Sequence, residues 1–310
     1  MMIRVNNLTK RFGNFTAVDD VSFEIPQGEV FGFVGPNGAG KTTTMRIMAT
    51  IDEPTSGDIF IDGYSVIDDP EQVRRIMGFM PDQYETYPNM TVWEFMDFYA
   101  RAYGIRRRER LKRLNAIMEF TALDKLAEKE VNALSKGMRQ RLCLGKTLIH
   151  DPKVIVMDEP AAGLDPRARI EFRELVDTLA GQGKTFLISS HILTELEEMV
   201  DGVAIIEQGQ ILKTGGIAGI RQELQSFTEI VAAFIGDPAP VERSLLEFPK
   251  VERVVVTDHT ARFVFNGDAE ERAALLKKLC ADDRIKITEF TGKVQDLEEI
   301  FMKITDGKVQ

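Results

Sequence analysis

Three glycines, a lysine and two threonines stand close together in Gly35-Pro36-Asn37-Gly38-Ala39-Gly40-Lys41-Thr42-Thr43, which satisfies the pattern G-x-x-x-x-G-K-[ST]. Glycine lets the backbone turn through positive φ and brings several N–H groups to an anion with no Cβ in the way. Lys41 adds a point charge suited to β and γ phosphates, and the Thr42 hydroxyl suits Mg²⁺. Such a loop needs a strand to deliver it and a helix to aim its positive end at the same anion. The apolar run Val30-Phe31-Gly32-Phe33-Val34 supplies the strand, and the segment from Met45 to Thr50 the helix. The chemistry expected is nucleoside triphosphate binding, with Gly35, Asn37, Gly38, Ala39, Gly40, Lys41, Thr42 and Thr43 as the cradle.

Other reactive side chains sit at the ends of apolar runs. Val154-Ile155-Val156-Met157 leads into Asp158-Glu159-Pro160, and an all-apolar strand implies a parallel sheet covered on both faces. Ligands of such sheets lie at the strand carboxyl ends, so Asp158 is placed to hold Mg²⁺ and Glu159 to orient and deprotonate an attacking water. Thr185-Phe186-Leu187-Ile188-Ser189-Ser190 delivers His191 to the same edge, where it suits a γ-phosphate contact, whereas His150 and His259 receive no functional reading. Segments 3–8 and 18–25 alternate as an antiparallel sheet would, and Lys10-Arg11-Phe12-Gly13-Asn14-Phe15 lies between them. Phe12 is expected to stack on a base, with Phe15 in reserve, against the plainer alternative that both rings pack the sheet. Ser135 reads as the N-cap of a helix running to about His150, and the open end of that helix together with the Ser135 hydroxyl can hold a second anion. Asp165 caps the helix from Pro166 to Leu179.

The chain of 310 residues exceeds one typical domain, so a large domain (1–218, with a helical insert at about 88–150) and a small one (219–310) are expected. Short strands at 59–63 and 76–80 lead to a long aromatic loop at 81–89 bounded by prolines. From Thr91 to Leu148 the period becomes helical, with Val92, Phe95, Met96, Tyr99 and Tyr103 on one face. The basic run from Arg106 to Arg113 carries its own apolar face in Leu111, Leu114, Ile117 and Met118, which points to a solvated helix surface rather than a nucleic-acid site. A net charge of -10 likewise argues against nucleic acid and against unaided attachment to anionic lipid, and favours a protein partner. No apolar stretch approaches the roughly 18 residues needed to span a bilayer, and the first residues lack the apolar core of a signal peptide, so a cytoplasmic location is expected. Cys143 and Cys280 fall in different domains and read as packing residues, with neither a disulfide nor a metal site implied. A hairpin is expected from Val203 to Lys213 and a linker at about 214–224. Beyond it the segments strand (229–235), helix (239–247), strands (251–256 and 261–265), helix (268–281), strand (284–290) and helix (294–304) follow the order of a ferredoxin-like split βαβ unit, read as regulatory, dimerising or partner-docking.

Five elements in fixed order, Gly35 to Thr43, Asp82-Gln83, Leu134 to Gln140, Val154 to Glu159 and His191, resemble the nucleotide-binding subunit of an ABC transporter over about residues 3–214. Leu134-Ser135-Lys136-Gly137-Met138 and the appended carboxyl domain look like the branch that pairs with ABC-2 type permeases, many of them exporters. The fold this implies is α/β, a P-loop NTPase (RecA-like) core with an antiparallel β subdomain and a helical insert, plus a small α+β ferredoxin-like C-terminal domain. The resemblance also implies a head-to-tail homodimer, or a paired ATPase subunit, holding two ATP molecules with Mg²⁺. Each ATP lies between the P-loop of one chain and Ser135 and Gly137 of the other. Carried across by position, Lys41 and the loop amides bind phosphate, Thr42 and Asp158 serve Mg²⁺, Glu159 is the base, His191 contacts the γ-phosphate and Asp165 lies in the loop crossing the interface. Integral membrane permease subunits would dock near residues 82–99, holding the protein peripherally on the inner face of the membrane.

Two departures from the family pattern stand out. Asp82 occupies the place where glutamine is usual, with Gln83 next to it, and either of the two can be the residue that reaches Mg²⁺. Lys136-Gly137-Met138 replaces Gly-Gly-Gln; Lys136 opposes the helix dipole unless it faces a phosphate, and is expected to gain its place from ATP across the interface. The competing readings are a soluble ABC-type ATPase, which usually shows tandem halves, a coiled-coil insert or a basic surface, and a small-molecule P-loop kinase, in which Glu159, the helical insert and Ser135 have no purpose.

Overall fold

The computed structural model describes residues 1–82, 89–192, 196, 198–217, 219, 228–282 and 284–293. The chain divides into two compact units, Met1–Ile217 and Ala218–Asp306. In chain order the first contains β1 (Ile3–Phe12), β2 (Phe15–Ile25), β3 (Val30–Val34), α1 (Lys41–Met48), β4 (Ser56–Ile61), β5 (Tyr64–Ser65), α2 (Pro70–Ile76), β6 (Met77–Met80), α3 (Val92–Ala102), α4 (Arg107–Phe120), α5 (Lys136–Leu148), β7 (Val154–Met157), α6 (Pro166–Gly181), β8 (Thr185–Ser190), β9 (Gly202–Glu207) and β10 (Gln210–Gly216).

Two sheets follow from the two hydrophobic patterns. Alternating burial in β1 and β2 suits a sheet with one face in the core, and these strands pair antiparallel in the order β2-β1-β4-β5. By contrast β3, β7, β8 and β9 are buried at every position and lie in a sheet of order β10-β9-β3-β8-β7-β6, parallel except for the β9–β10 hairpin. One apolar cluster joins both sheets across α1, from Ile3 and Ile25 through Phe33 and Met45 to Val156 and Ile206. Within it the Phe23 ring stacks on Phe31 at 6.0 Å. The parallel strands end on one edge, and β3, β6, β7 and β8 there run into Gly35, Asp82, Asp158 and His191 respectively.

Helix α3 begins with a capping box, Thr91 and Glu94 bonding to each other's backbone N–H, and buries Val92, Phe95, Met96 and Ala100. Tyr103, expected on that face, is half exposed and instead stacks on His150 with ring centroids 4.4 Å apart. On α4, Leu114, Ile117 and Met118 are buried, while Arg106, Arg107 and Arg108 are exposed as a solvated surface requires. Leu111 departs from expectation and is exposed, because at its level α3 and α4 meet through an ion pair, Arg110 Nε to Asp97 Oδ1 at 2.6 Å. Helix α2 was not expected: Pro70 at its first turn and Asp69 before it start a short helix, so the following strand begins at Met77.

The second unit has β11 (Thr228–Ile235), α7 (Pro238–Leu246), β12 (Val251–Val256), β13 (Thr260–Phe265), α8 (Ala269–Cys280) and β14 (Lys286–Lys293), its strands antiparallel in the order β12-β13-β11-β14. Asp237 caps α7, and Asp268 with Glu271 forms a capping box on α8. The core of this unit gathers Ile230, Phe234, Phe263, Phe265, Leu275 and Leu279. The helix expected at 294–304 lies outside the described residues, as does Gln83.

Both cysteines are free thiols, Cys143 buried in α5 and Cys280 exposed at the end of α8. Burial pushes the Cys143 thiol up to about 11. A thiol reagent at neutral pH should therefore label one equivalent in the native protein and a second only on unfolding; fast labelling of both would contradict this packing.

Candidate active site

The loop after β3 is shaped by close approach of backbone. A Cβ on Gly35 would stand 2.2 Å from the Ile206 carbonyl oxygen, and Gly40, at φ 105°, leaves room for the Ala17 carbonyl, which would be 2.5 Å from a Cβ. The β9–β10 turn braces the loop: Gly209 N–H donates to Ala39 O at 3.0 Å, and Asp19 N–H donates to Gly209 O at 2.8 Å. Helix α1 starts at Lys41 with no acidic side chain in its first turn, so its positive end is left for an anion. Lys41 is buried; its Nζ donates to Gly35 O at 2.6 Å and Pro36 O at 3.1 Å. Burial lowers its proton affinity below that of an ordinary lysine, and Glu159 and then Asp158 pull part of the way back.

At the ends of β7 and β8 the acids are held by hydroxyls. Thr42 Oγ1 donates to Asp158 Oδ2 at 2.7 Å, and Ser189 Oγ donates to Asp158 Oδ1 at 2.6 Å. Glu159 has a left-handed backbone at φ 48°, and its N–H donates to Ser189 Oγ at 2.8 Å. Its carboxylate lies between two bases: His191 Nδ1 donates to Oε2 at 2.8 Å, and Lys41 Nζ stands 3.4 Å from Oε1, an ion-pair distance without a hydrogen bond. Chemically, this arrangement offers a cation for phosphate oxygens, a hydroxyl and a carboxylate for a hard divalent cation, and a second carboxylate, that of Glu159, suited to general-base work.

A cavity of about 320 Å³ opens over these groups, lined by Phe12, Phe15, Asn37, Lys41, Asp82 and Glu159 among others. Both phenylalanine rings are about half exposed, so neither packs into the sheet, and Lys10 Nζ sits 5.0 Å over the Phe12 ring. Gly38, Gly40, Thr42 and Thr43 line the same cavity, while Gly35 and Ala39 are buried beneath it. Asp82 reaches the cavity mouth. Its carboxyl is held above the ordinary aspartate range by partial burial and then by Asp158 and Glu159, with Lys136 and His191 opposing.

Ser135 and Gly137 do not line that cavity. Ser135 caps α5 by accepting from Met138 N–H at 3.3 Å, and Gly137 packs so closely on α6 that a Cβ would stand 2.9 Å from Ala168 Cβ. Lys136 Nζ lies 2.7 Å from where a Cβ on Gly163 would be, so the ammonium rests on the chain's own loop after Glu159. Asp165 caps α6, accepting from Ala168 N–H at 2.9 Å. Ser189 was missed in the sequence; its only signal there is that it is one of three hydroxyl residues in a fully buried strand. Ala17 was missed too, because it contributes a carbonyl rather than a side chain.

The sequence matches the family model described as ABC transporter over residues 18–162. It is 29% identical to the linearmycin resistance ATP-binding protein LnrL of Bacillus subtilis, covering 98% of each chain. Among solved structures, an ATP binding subunit of an ABC transporter is similar with a TM-score of 0.65 at 30% identity, over 72% of this chain and 93% of that one. A dimeric, post-hydrolysis ATP-binding cassette bound to ADP and Pi is similar with a TM-score of 0.63 at 26% identity, over 70% and 99%. Nod factor export ATP-binding protein I of Ralstonia nicotianae is 33% identical over 310 residues, 100% of this chain and 95% of that protein. Likeness carried along the full length of such proteins puts the chain in the ABC transporter family, among its ATP-binding subunits.

Proposed function

We propose that this chain is the ATP-hydrolysing subunit of an exporter and works as a head-to-tail dimer against separate membrane-embedded permease subunits. The observation carrying the reading is that Lys41, Thr42, Asp158, Glu159 and His191 meet at one sheet edge while Ser135 and Gly137 stand outside the same cavity. A site with its phosphate cradle complete and its second anion-binding helix end outside the cavity reads as half of a two-chain site. The relatives named for Nod factor export and linearmycin resistance support an export role, and their different cargoes leave the cargo of this chain unassigned.

In this reading Lys41 and the loop N–H groups from Gly35 to Thr43 hold the β and γ phosphates, and the exposed Phe12 stacks on adenine. Thr42 and Asp158 are oxygen donors of the kind Mg²⁺ requires, and they already converge at 2.7 Å; they would hold the ion, which would supply charge neutralisation for the phosphates. Asp82, at the cavity mouth, is the described candidate for a further contact to it. Glu159 takes the proton of the attacking water, its carboxylate held between Lys41 and His191, and His191 reaches the γ-phosphate. Lys136 is read as exchanging the Gly163 loop for ATP of the partner when the dimer closes.

No helix among the described residues is long and apolar enough to cross a membrane. A cytoplasmic, peripheral position, held by permease docking near residues 82–99 and not by nucleic acid or lipid, fits the net charge of -10. The second unit, whose strand order β12-β13-β11-β14 supports a ferredoxin-like reading, is assigned a regulatory, dimerising or partner-docking role.

Glu159→Gln should slow hydrolysis by about 10²- to 10⁴-fold and leave ATP affinity within a few-fold, whereas Lys41→Ala should weaken binding itself. Parent-like turnover in the first or parent-like affinity in the second would remove the assigned role. Asp82 gives a pH test. A carboxyl whose folded pKa is raised destabilises the folded state above that pKa and has no effect below its unfolded value. Asp82→Asn should therefore raise the melting temperature of nucleotide-free protein at pH 7, and the gain should fade as pH falls through the ordinary carboxylate range. A gain that grows on acidification would contradict the assignment.

A further inference from the structure

We propose that Ser189 is a positioning residue for ATP hydrolysis, aligning the metal-binding and base-bearing acids with one buried hydroxyl. The proposal rests on the reading of Asp158 and Glu159 given above.

Ser189 is fully buried at the next-to-last position of β8. Its Oγ has one proton and two neighbours, the Asp158 carboxylate at 2.6 Å and the Glu159 backbone N–H at 2.8 Å. The N–H can only donate, so the hydroxyl proton must go to Asp158 Oδ1 and the direction of the chain is fixed. Asp158 Oδ2 takes the Thr42 hydroxyl on its other side, and with one donor on each oxygen the carboxylate plane cannot rotate freely. The second bond acts on Glu159, whose φ of 48° is unfavourable for a residue with a Cβ. That backbone turn sends the Glu159 side chain toward Lys41 and His191, and the Ser189 hydroxyl is the side chain that holds it. The neighbouring Ser190 carbonyl accepts from Gly35 N–H at 3.2 Å, so the end of β8 also meets the phosphate loop. Ser189 is set behind both acids and acts through them.

Removing the hydroxyl leaves Asp158 Oδ1 without this donor and Glu159 N–H without this acceptor, and releases the acid from its turn. In the full chain, Ser189→Ala should lower kcat about 10²-fold, the scale of a small misplacement of a reacting group. ATP affinity measured without Mg²⁺ should stay within about threefold, since the cradle is untouched. The Mg²⁺ concentration that produces half of the ATP-dependent rise in melting temperature should increase about tenfold, as for loss of a partner behind a metal ligand. Turnover within threefold of the parent, or a fall in kcat matched by an equal loss of Mg²⁺-free ATP affinity, would overturn the proposal. If Ser189→Ala does not fold, Ser189→Thr and Ser189→Cys decide: the hydroxyl variant must retain turnover and the weakly donating thiol must lose it, and equal turnover in the two would overturn the proposal. Glu159→Gln run alongside separates the premises. Parent-like turnover there removes the base reading itself, whereas an inactive Glu159→Gln beside a parent-like Ser189→Ala removes only the role of Ser189.

Discussion

A buried carboxylate is costly unless its oxygens are satisfied, and Asp158, 2% exposed, satisfies both with hydroxyls from two other elements. One hydroxyl, from Thr42, stands in the first turn of the helix after β3; the other, from Ser189, stands on β8. The acid therefore ties together the carboxyl ends of three parallel strands, and the glycine loop, Glu159 and His191 are arranged around it. Lys41 obeys the same constraint with the opposite sign. Its buried ammonium is held by the Gly35 and Pro36 carbonyls and by proximity to Glu159. Without nucleotide the opposed charges partly satisfy one another, and phosphate oxygens would compete for the same cation.

This self-satisfaction stops at the cavity mouth. Asp82 faces two like charges there, and Ser135 and Gly137 do not line the cavity. Gly137 lies against α6, whose cap is Asp165, and Lys136 against Gly163, so the start of α5 and the loop after Glu159 are packed together in the same chain. A second chain completing the site would meet that packed piece as a unit.

Much of this was legible in the sequence because each feature carries its own local signal. Apolar runs with polar ends read as parallel strands and their site residues, and Ser135 and Asp165 read as caps because short oxygen-bearing side chains compete for the first N–H groups of a helix. The hairpin at 202–216 and the strands of the second unit follow the same logic. What escaped depends on long-range contact. Ser189 is indistinguishable from a tolerated strand serine until Asp158 and Glu159 are placed beside it. Leu111 looked buried by spacing, but spacing does not reveal that an ion pair occupies the contact. The exposure of Phe12 and Phe15, and the resting place of Lys136 on Gly163, are likewise set by tertiary neighbours. Full-length likeness to ATP-binding subunits of transporters favours the transport reading over a non-transport role.

The central claim is that hydrolysis belongs to two chains closed on ATP. The most direct measurement is the solution mass of the Glu159→Gln protein with and without saturating Mg-ATP, because this variant should bind nucleotide and stall before turnover. The expected result is a monomer without nucleotide and a dimer of twice that mass with it. A protein that demonstrably binds Mg-ATP yet remains monomeric at high concentration would contradict the claim that ATP alone brings the two halves of the site together.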